Sequence, residues 1–373
     1  MRPPEWVAAA LRALPRPRCA FAYDTSVVRA QAERLRAAFG DKTVLLYAVK
    51  ANGNTSVVSA LADACDGLDV ASRGELDLAV AAGARRIVVS GPAKTDDLLA
   101  AAVRAGAQIN VESRHELLRL PPGARIAIRV NRRGAALPGS HAMTGTPTPF
   151  GVDESELPAL IGSGPEIEGF HLHAVSNNLD AAAHSAFARE SLAWSVRTAE
   201  RFGIELRSVN VGGGLGVDYR SEDTIDLSVL RTSWPAPPAG VELVVEPGRI
   251  LAADAGWYAA EVLDLKRTHG RWFAVLRGGT HHFRLPAAWG YSHPFTVLPI
   301  DEWPYGWPRP EIRDAEVDAV GELCTPRDVL ARARHVDRLR IGDLLVFGRA
   351  GAYGWDISHH DFLRHEPPEF LIR

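Results

Sequence analysis

The sequence predicts a (β/α)8 barrel of the TIM type followed by a mostly β domain. Three observations carry that expectation. Eight short β-rich runs recur between residues 44 and 248. Ala/Leu/Arg-rich stretches with helical spacing separate most of them, which makes parallel βα units. After about residue 252 the helical runs thin out and longer strand-like runs replace them. Eight strands in roughly two hundred residues fit a barrel of about 250 residues. A doubly wound open sheet has the same strand count and differs only in closure.

In order, the runs are VLLYAV (44–49), GLDVAS (67–72), RIVVSG (86–91), AQINVE (107–112), RIAIRV (125–130), GFHLHAVS (169–176), SVNVGGG (208–214) and ELVVEPG (242–248). Between them, LDLAVAAG (76–83) and DDLLAAAVRAGA (96–107) place apolar residues three and four apart and end on glycine, as helices do. Further on, residues 256–279 read as two strands around a turn at His269-Gly270, and DAVGELC (318–324) and GDLLVFGRAGAY (342–353) as further strands. DEWPYGWPRPE (301–311) is loop-like. The expected domains are a barrel over 26–252 and a β-sandwich or β-barrel over 253–373, which residues 1–25 join through the β-like CAFAYD (19–24).

Composition narrows the function. Of 373 residues, 46% are hydrophobic and 23% charged, an ordinary globular balance. A formal net charge of -3 supplies no basic field for nucleic acid or a membrane surface. The three scattered cysteines, Cys19, Cys65 and Cys324, make neither a disulfide framework nor a metal pattern, so a reducing cytoplasm is expected. The N-terminal stretch lacks the apolar core of a secretion signal, and no apolar run approaches membrane-spanning length.

In a barrel, functional groups gather at the C-terminal ends of strands. Here those ends carry Lys50, Asp69 with Ser72, Arg129 with Asn131, His173 with Ser176 and Asn177, Gly212 to Gly214, and Glu246 with Arg249. Any one alone is more simply a salt bridge or a solvated rim; six converging ends make a site. A triple glycine lets backbone N–H groups approach a phosphate. A desolvated lysine is a nucleophile toward carbonyls. Glu246 could hold a protonated ring nitrogen, and His173 offers a flat face. Together these point to pyridoxal phosphate, with Lys50 as the Schiff-base lysine.

The motifs also resemble a known family. YAVKAN (47–52), DVASRGEL (69–76), HLHAVS (171–176), VNVGGGLG (209–216), EPGR (246–249), GELCTPRDVL (321–330) and GAYG (351–354) stand in the order seen in the fold-type III pyridoxal-phosphate decarboxylases, the ornithine/diaminopimelate decarboxylase group. The resemblance spans nearly the whole chain. It implies a barrel resembling that of the alanine racemases and a homodimer with shared active sites. It implies that Lys50 and His173 act in catalysis with Cys324, which serves the partner's site as the acid that protonates Cα. It further implies a cofactor held by Asp69, Arg129, Ser176, Gly212, Gly213, Gly214, Glu246, Gly248, Arg249 and Tyr353. Alanine racemases place an arginine at the ring nitrogen and a tyrosine at the acid, so Glu246 and Cys324 favour decarboxylation over racemisation. A pyridoxal-phosphate-binding regulatory barrel would need no acid in a second domain.

Departures from the family pattern bear on the substrate. Decarboxylases of basic amino acids carry an acidic residue after the cysteine; here it is Thr325, with Asp328 or Glu322 as possible substitutes. The segment GGTHHFRLPAAWGYSHPF (278–295) is dense in His281, His282, Arg284 and His293, which suits carboxylates. Zinc is the other reading of three histidines, but they lack an acidic or thiolate partner at ligand spacing. HAVSNNLD, THHFRLP and CTPRD resemble the siderophore-biosynthesis branch, which decarboxylates amino acids joined to citrate, such as citryl-diaminopropionate or citryl-serine. Expected substrate contacts are His281, His282, Arg284, His293, Thr325 and Asp328. Diaminopimelate, ornithine and carrier-bound amino acids stay open as substrates.

Overall fold

The computed structural model describes residues 2–134, 137–162, 166–221 and 223–373. The chain divides into two compact units. One comprises residues 28–217 and 223–251, the other residues 1–27, 218–222 and 252–373.

The first unit is a closed ring of eight parallel strands: Thr43–Ala48, Gly67–Val70, Ile87–Val89, Gln108–Val111, Arg125–Asn131, Ile167–His171, Ser208–Asn210 and Glu242–Val245. Each pairs with the next, from Leu46 opposite Gly67 onward, and Val245 opposite Leu45 closes the circle. Closure excludes the open doubly wound sheet. The strands are buried along almost their whole length, so they read as apolar runs rather than as alternation. Helices follow them, and short polar side chains start these helices. Asn54, Ser72, Thr95, Ser113 and Asp180 each accept a hydrogen bond from a backbone N–H in the first turn. Ser72 is thus a helix cap, paired with Glu75, whose carboxylate accepts from the Ala71 N–H at 2.7 Å. That accounts for Ser72 without a ligand.

The second unit is mostly β. Its eight-stranded sheet brings both chain ends together. Cys19–Tyr23 runs antiparallel to Gly256–Thr268 and parallel to Glu369–Ile372. Gly256–Thr268 turns back into Arg271–Leu276 through His269 and Gly270, both at positive φ. Glu311–Val320 pairs with Val329–Arg340, a strand the sequence reading passed over because it is studded with arginines and half exposed. The run 318–324 is a strand only to Val320; Gly321 to Asp328 form a loop. Leu11, Ala20, Trp257, Leu344 and Val346 share a core cluster with the helix Glu5–Ala13.

Candidate cofactor site of the barrel

The polar strand ends meet at one mouth of the barrel. Lys50 sits two residues past its strand, in the 3-10 turn Val49–Ala51, with its side chain 48% exposed. Its ammonium lies 3.5 Å from the buried Asp69 carboxylate. Gly248 explains how this turn fits. A Cβ there would lie 2.8 Å from Ala51 Cβ and 3.2 Å from Ala48 O. The glycine therefore lets the last strand end press against the lysine turn.

Glu246 is the centre of a buried network. Its Oε2 is 3.1 Å from His171 Nε2, and its Oε1 accepts from Asn210 Nδ2 at 2.5 Å. His171 Nδ1 is buried and has no hydrogen-bond partner, so the ring is neutral and donates from Nε2. Burial alone draws His171 down and would push Glu246 up. His171, Lys50 and Asn210 outweigh burial at Glu246 and hold its carboxyl at about 2. Asp69 goes the other way. Burial, then the Glu246 charge, raises it to about 7 against the pull of Lys50. Of these two close buried carboxyls, Glu246 is the ionised one.

Asn210 also reaches the glycine loop. Its Oδ1 accepts from the Gly212 N–H at 2.8 Å. Side chains are excluded from this loop. A Cβ on Gly213 would sit 2.2 Å from Glu246 O, and one on Gly214 2.4 Å from Val175 O. Gly212 and Gly214 have φ of +69° and +96°, which a β-carbon disfavours. A Cβ on Gly212 would strike His173, whose ring stands parallel to His171 at 6.4 Å and 11°. His173 Nδ1 is buried and unpartnered. The paired asparagines brace the loop: Asn177 Oδ1 accepts from Val217 N, and Asn178 exchanges backbone bonds with Gly214 and Gly216.

Arg129 is buried at the end of the fifth strand. Glu112 accepts from it at 3.0 Å, and the Phe150 ring lies 4.7 Å from its guanidinium carbon. Glu112 also accepts from the N–H groups of Gly91 and Gly151, tying three strand ends together. Ser176 is half-buried, in a two-residue strand paired with His141–Ala142, and Arg249 is buried at the start of the helix Arg249–Ala252. Sequence reading missed His171, Asn210 and Glu112. Their only signal was position: His171 two residues before His173 on the same strand path, Asn210 and Glu112 at strand ends.

In the second unit, Cys324 is exposed, whereas Cys19 and Cys65 are buried and pushed up to about 12 by burial. Cys324 is therefore not a small buried core residue, the commoner place of a free cysteine. Three expected substrate contacts require correction. His282 is buried, with Nε2 on Glu366 O and Nδ1 beside Cys19 Sγ. His293 is buried, with Nε2 on Gly348 O at 2.7 Å and Nδ1 on the Tyr291 hydroxyl. Asp328 accepts from the N–H groups of Thr280 and Leu323, one on each oxygen. All three hold the fold together. His281 is fully buried, 3.4 Å from Glu322. Glu322 is itself engaged by Arg277 and the Gly278 N–H. Asp328 and Glu322 are thus both engaged within the fold. Arg284 is exposed; Tyr353 is half-exposed at a φ of 54°. Among the described residues no cluster of His, Cys, Asp and Glu is arranged to hold a metal.

The barrel mouth suits pyridoxal phosphate: an amine, an ionised buried carboxylate for a pyridinium nitrogen, an open imidazole face, and a glycine loop that admits a phosphate. Fold and site together define an enzyme class, the pyridoxal-phosphate enzymes built on a (β/α)8 barrel. Comparison with known proteins sharpens this. Residues 25–253 match the pyridoxal-binding domain of pyridoxal-dependent decarboxylases. A Staphylococcus aureus 2-[(L-alanin-3-ylcarbamoyl)methyl]-2-hydroxybutanedioate decarboxylase is 38% identical, over 97% of this chain and 95% of its own. A Deinococcus radiodurans diaminopimelate decarboxylase is 36% identical, over 94% and 89%. The crystal structure of Helicobacter pylori diaminopimelate decarboxylase complexed with L-lysine superposes with a TM-score of 0.84 at 26% identity, over 98% and 94%. The chain belongs to the pyridoxal-dependent decarboxylase family. It is a carboxy-lyase whose cofactor is pyridoxal 5'-phosphate.

Proposed function

We propose that the chain decarboxylates an amino acid conjugated to citrate, of the citryl-diaminopropionate or citryl-serine type, in siderophore or related natural-product biosynthesis. The observation that carries this reading is the absence of a free acid beside Thr325, where a decarboxylase of basic amino acids needs one: Asp328 and Glu322 are both committed within the fold. The name of the Staphylococcus aureus relative describes such a substrate, an alanine joined at C3 through an amide to a hydroxydicarboxylate. Diaminopimelate is the second reading, supported by the Deinococcus radiodurans relative. Its distal ammonium would want a carboxylate, and among the described residues Asp328 and Glu322 are both engaged within the fold.

Bound in the barrel, the cofactor supplies an electron sink for the pair released when the bond from Cα to the carboxylate breaks. The chain's own residues do the rest. Lys50 anchors the cofactor. Ionised Glu246, held by His171 and Asn210, keeps the proton on the ring nitrogen and so strengthens the sink. Neutral His173 would offer its face to the cofactor ring. Gly212 to Gly214, Ser176, Arg249 and Tyr353 would hold the phosphate, and Arg129 and Asp69 would complete the pocket. Cys324 of the partner subunit donates a proton to Cα as a positioned general acid, which makes the working form a homodimer. A thiol kept reduced for that purpose fits a cytoplasmic enzyme. Arg284 and Thr325 face the substrate.

Carbon dioxide release tests the reading against a panel of citryl-diaminopropionate, citryl-serine, meso-diaminopimelate, ornithine and lysine. Turnover confined to citryl conjugates supports it; preferred turnover of a free amino acid overturns it.

A further inference from the structure

The second unit contains a groove of about 810 Å³, within the range of small-molecule sites. Its lining includes Arg284, Arg327, Arg332, Thr280, Thr325 and Ser292 and, among the described residues, no aspartate or glutamate. The three cations come from separate segments: the loop before the short helix Leu285–Trp289, the loop after Cys324, and the strand Val329–Arg340.

The walls are fixed. Asp328 clamps the first two segments through the N–H groups of Thr280 and Leu323. The Ser292 hydroxyl accepts from Arg332 N at 2.7 Å and donates to Arg332 O at 3.0 Å, locking the third. Neither Arg284 nor Arg327 forms an ion pair among the described residues. Arg332 approaches a carboxylate only at 3.7 Å, that of Asp318, which Arg271 already holds at 2.5 Å. The lining residue His359 is drawn down by burial and then by Arg284, which marks the groove as electropositive. Three guanidiniums in one groove repel each other unless a polyanion joins them.

We infer that this groove is the subsite for the hydroxy-polycarboxylate end of the substrate, with Arg327 and Arg332 as its specificity-determining residues; this rests on the function proposed above. Guanidinium forks pair bidentately with carboxylates. Thr280, Thr325 and Ser292 offer hydroxyls to the tertiary alcohol and the amide. The site combines charge and hydroxyl chemistry that ornithine or lysine, which have no distal carboxylate, would not use.

The experiment titrates the pyridoxal-phosphate-loaded enzyme with tricarballylate, a tricarboxylate that cannot turn over, and compares Arg327→Gln, Arg332→Gln and the two lysine variants. Each glutamine variant should bind tricarballylate about 10-fold or more weakly, the lysines should recover part of the loss, and the visible absorbance of the cofactor should stay unchanged. The KM for citryl-diaminopropionate should rise by a similar factor. Wild-type tricarballylate affinity in both glutamine variants, or no binding to the wild-type enzyme at millimolar concentration, would overturn the subsite. Arginine-dependent tricarballylate binding together with preferred turnover of diaminopimelate would sink the proposed substrate and leave the polycarboxylate subsite standing. Turnover of citryl-diaminopropionate with KM indifferent to both arginines would sink the subsite alone.

Discussion

Glu246 and His171 meet at 3.1 Å inside the barrel, where a neutral imidazole donates to a carboxylate held at about 2. Burial alone would raise that carboxyl; His171, through its electrostatic pull and its hydrogen bond, then Lys50 and Asn210, reverse the sign. The relationship makes His171 a positioning residue for Glu246. In His171→Leu, burial regains the upper hand and the Glu246 carboxyl titrates at higher pH. Losing one hydrogen bond to a charged group costs about 1.5–3 kcal/mol, so kcat should fall roughly 10- to 150-fold. The loss should be larger at pH 6 than at pH 8.5, because the protonated fraction of Glu246 grows as pH falls. A pH-independent loss would assign His171 to packing.

Asp69 supplies the opposite sign. Its folded value of about 7 lies above the ordinary 3.8, so it favours folding while protonated and this contribution is lost as pH rises through 7. The cofactor-free Asp69→Asn chain should therefore be more stable than wild type at pH 8, by up to about 4 kcal/mol at 1.36 kcal/mol per unit. The gap should close by pH 4. Thermal melts across that window check it.

Lys50→Ala should abolish the visible absorbance of the bound cofactor and its trapping by borohydride. Turnover should fall on the order of 10³-fold or more. An unaltered spectrum would remove Lys50 from its anchoring role.

Cys324→Ala should slow the reaction roughly 10²- to 10⁴-fold, as loss of a positioned acid does, or misdirect protonation and yield a carbonyl by-product. Iodoacetamide should label Cys324 in the folded protein and spare Cys19 and Cys65, which burial keeps protonated. Product analysis and peptide mapping read the two outcomes. Wild-type turnover with clean amine product would return Cys324 to a structural role.

Gly213→Ala places a Cβ 2.2 Å from Glu246 O, a backbone atom that cannot swing aside. The loop must move. Strain of about 1–3 kcal/mol should appear as cofactor affinity weakened by roughly 5- to 150-fold, read by absorbance titration.

Much of this was legible in the residues. The eight β-rich runs coincide with the eight barrel strands because strands buried on both faces are apolar throughout. Their ends were less legible. The apolar run continues to Val49, yet the strand stops at Ala48, since hydrophobicity marks burial and not the point where the backbone turns. The strand Val329–Arg340 was hidden by its arginines, one of which, Arg332, lines the groove. The histidine-rich segment misled in the other direction. Sequence shows that His282 and His293 are near a loop, but only the fold shows their ring nitrogens spent on neighbours. His171 and Asn210 were missed because a buried polar residue on a strand declares its role only through its partner across the barrel.

The central claim is that the chain acts on a citrate-linked amino acid. The most direct measurement is the ratio of kcat/KM for citryl-diaminopropionate to that for meso-diaminopimelate, by carbon dioxide release from the pyridoxal-phosphate-loaded enzyme with Lys50→Ala as the blank. The account predicts a ratio of about 10² or more, the discrimination expected when one ligand satisfies buried or focused charges and the other does not. A ratio near or below one would contradict it.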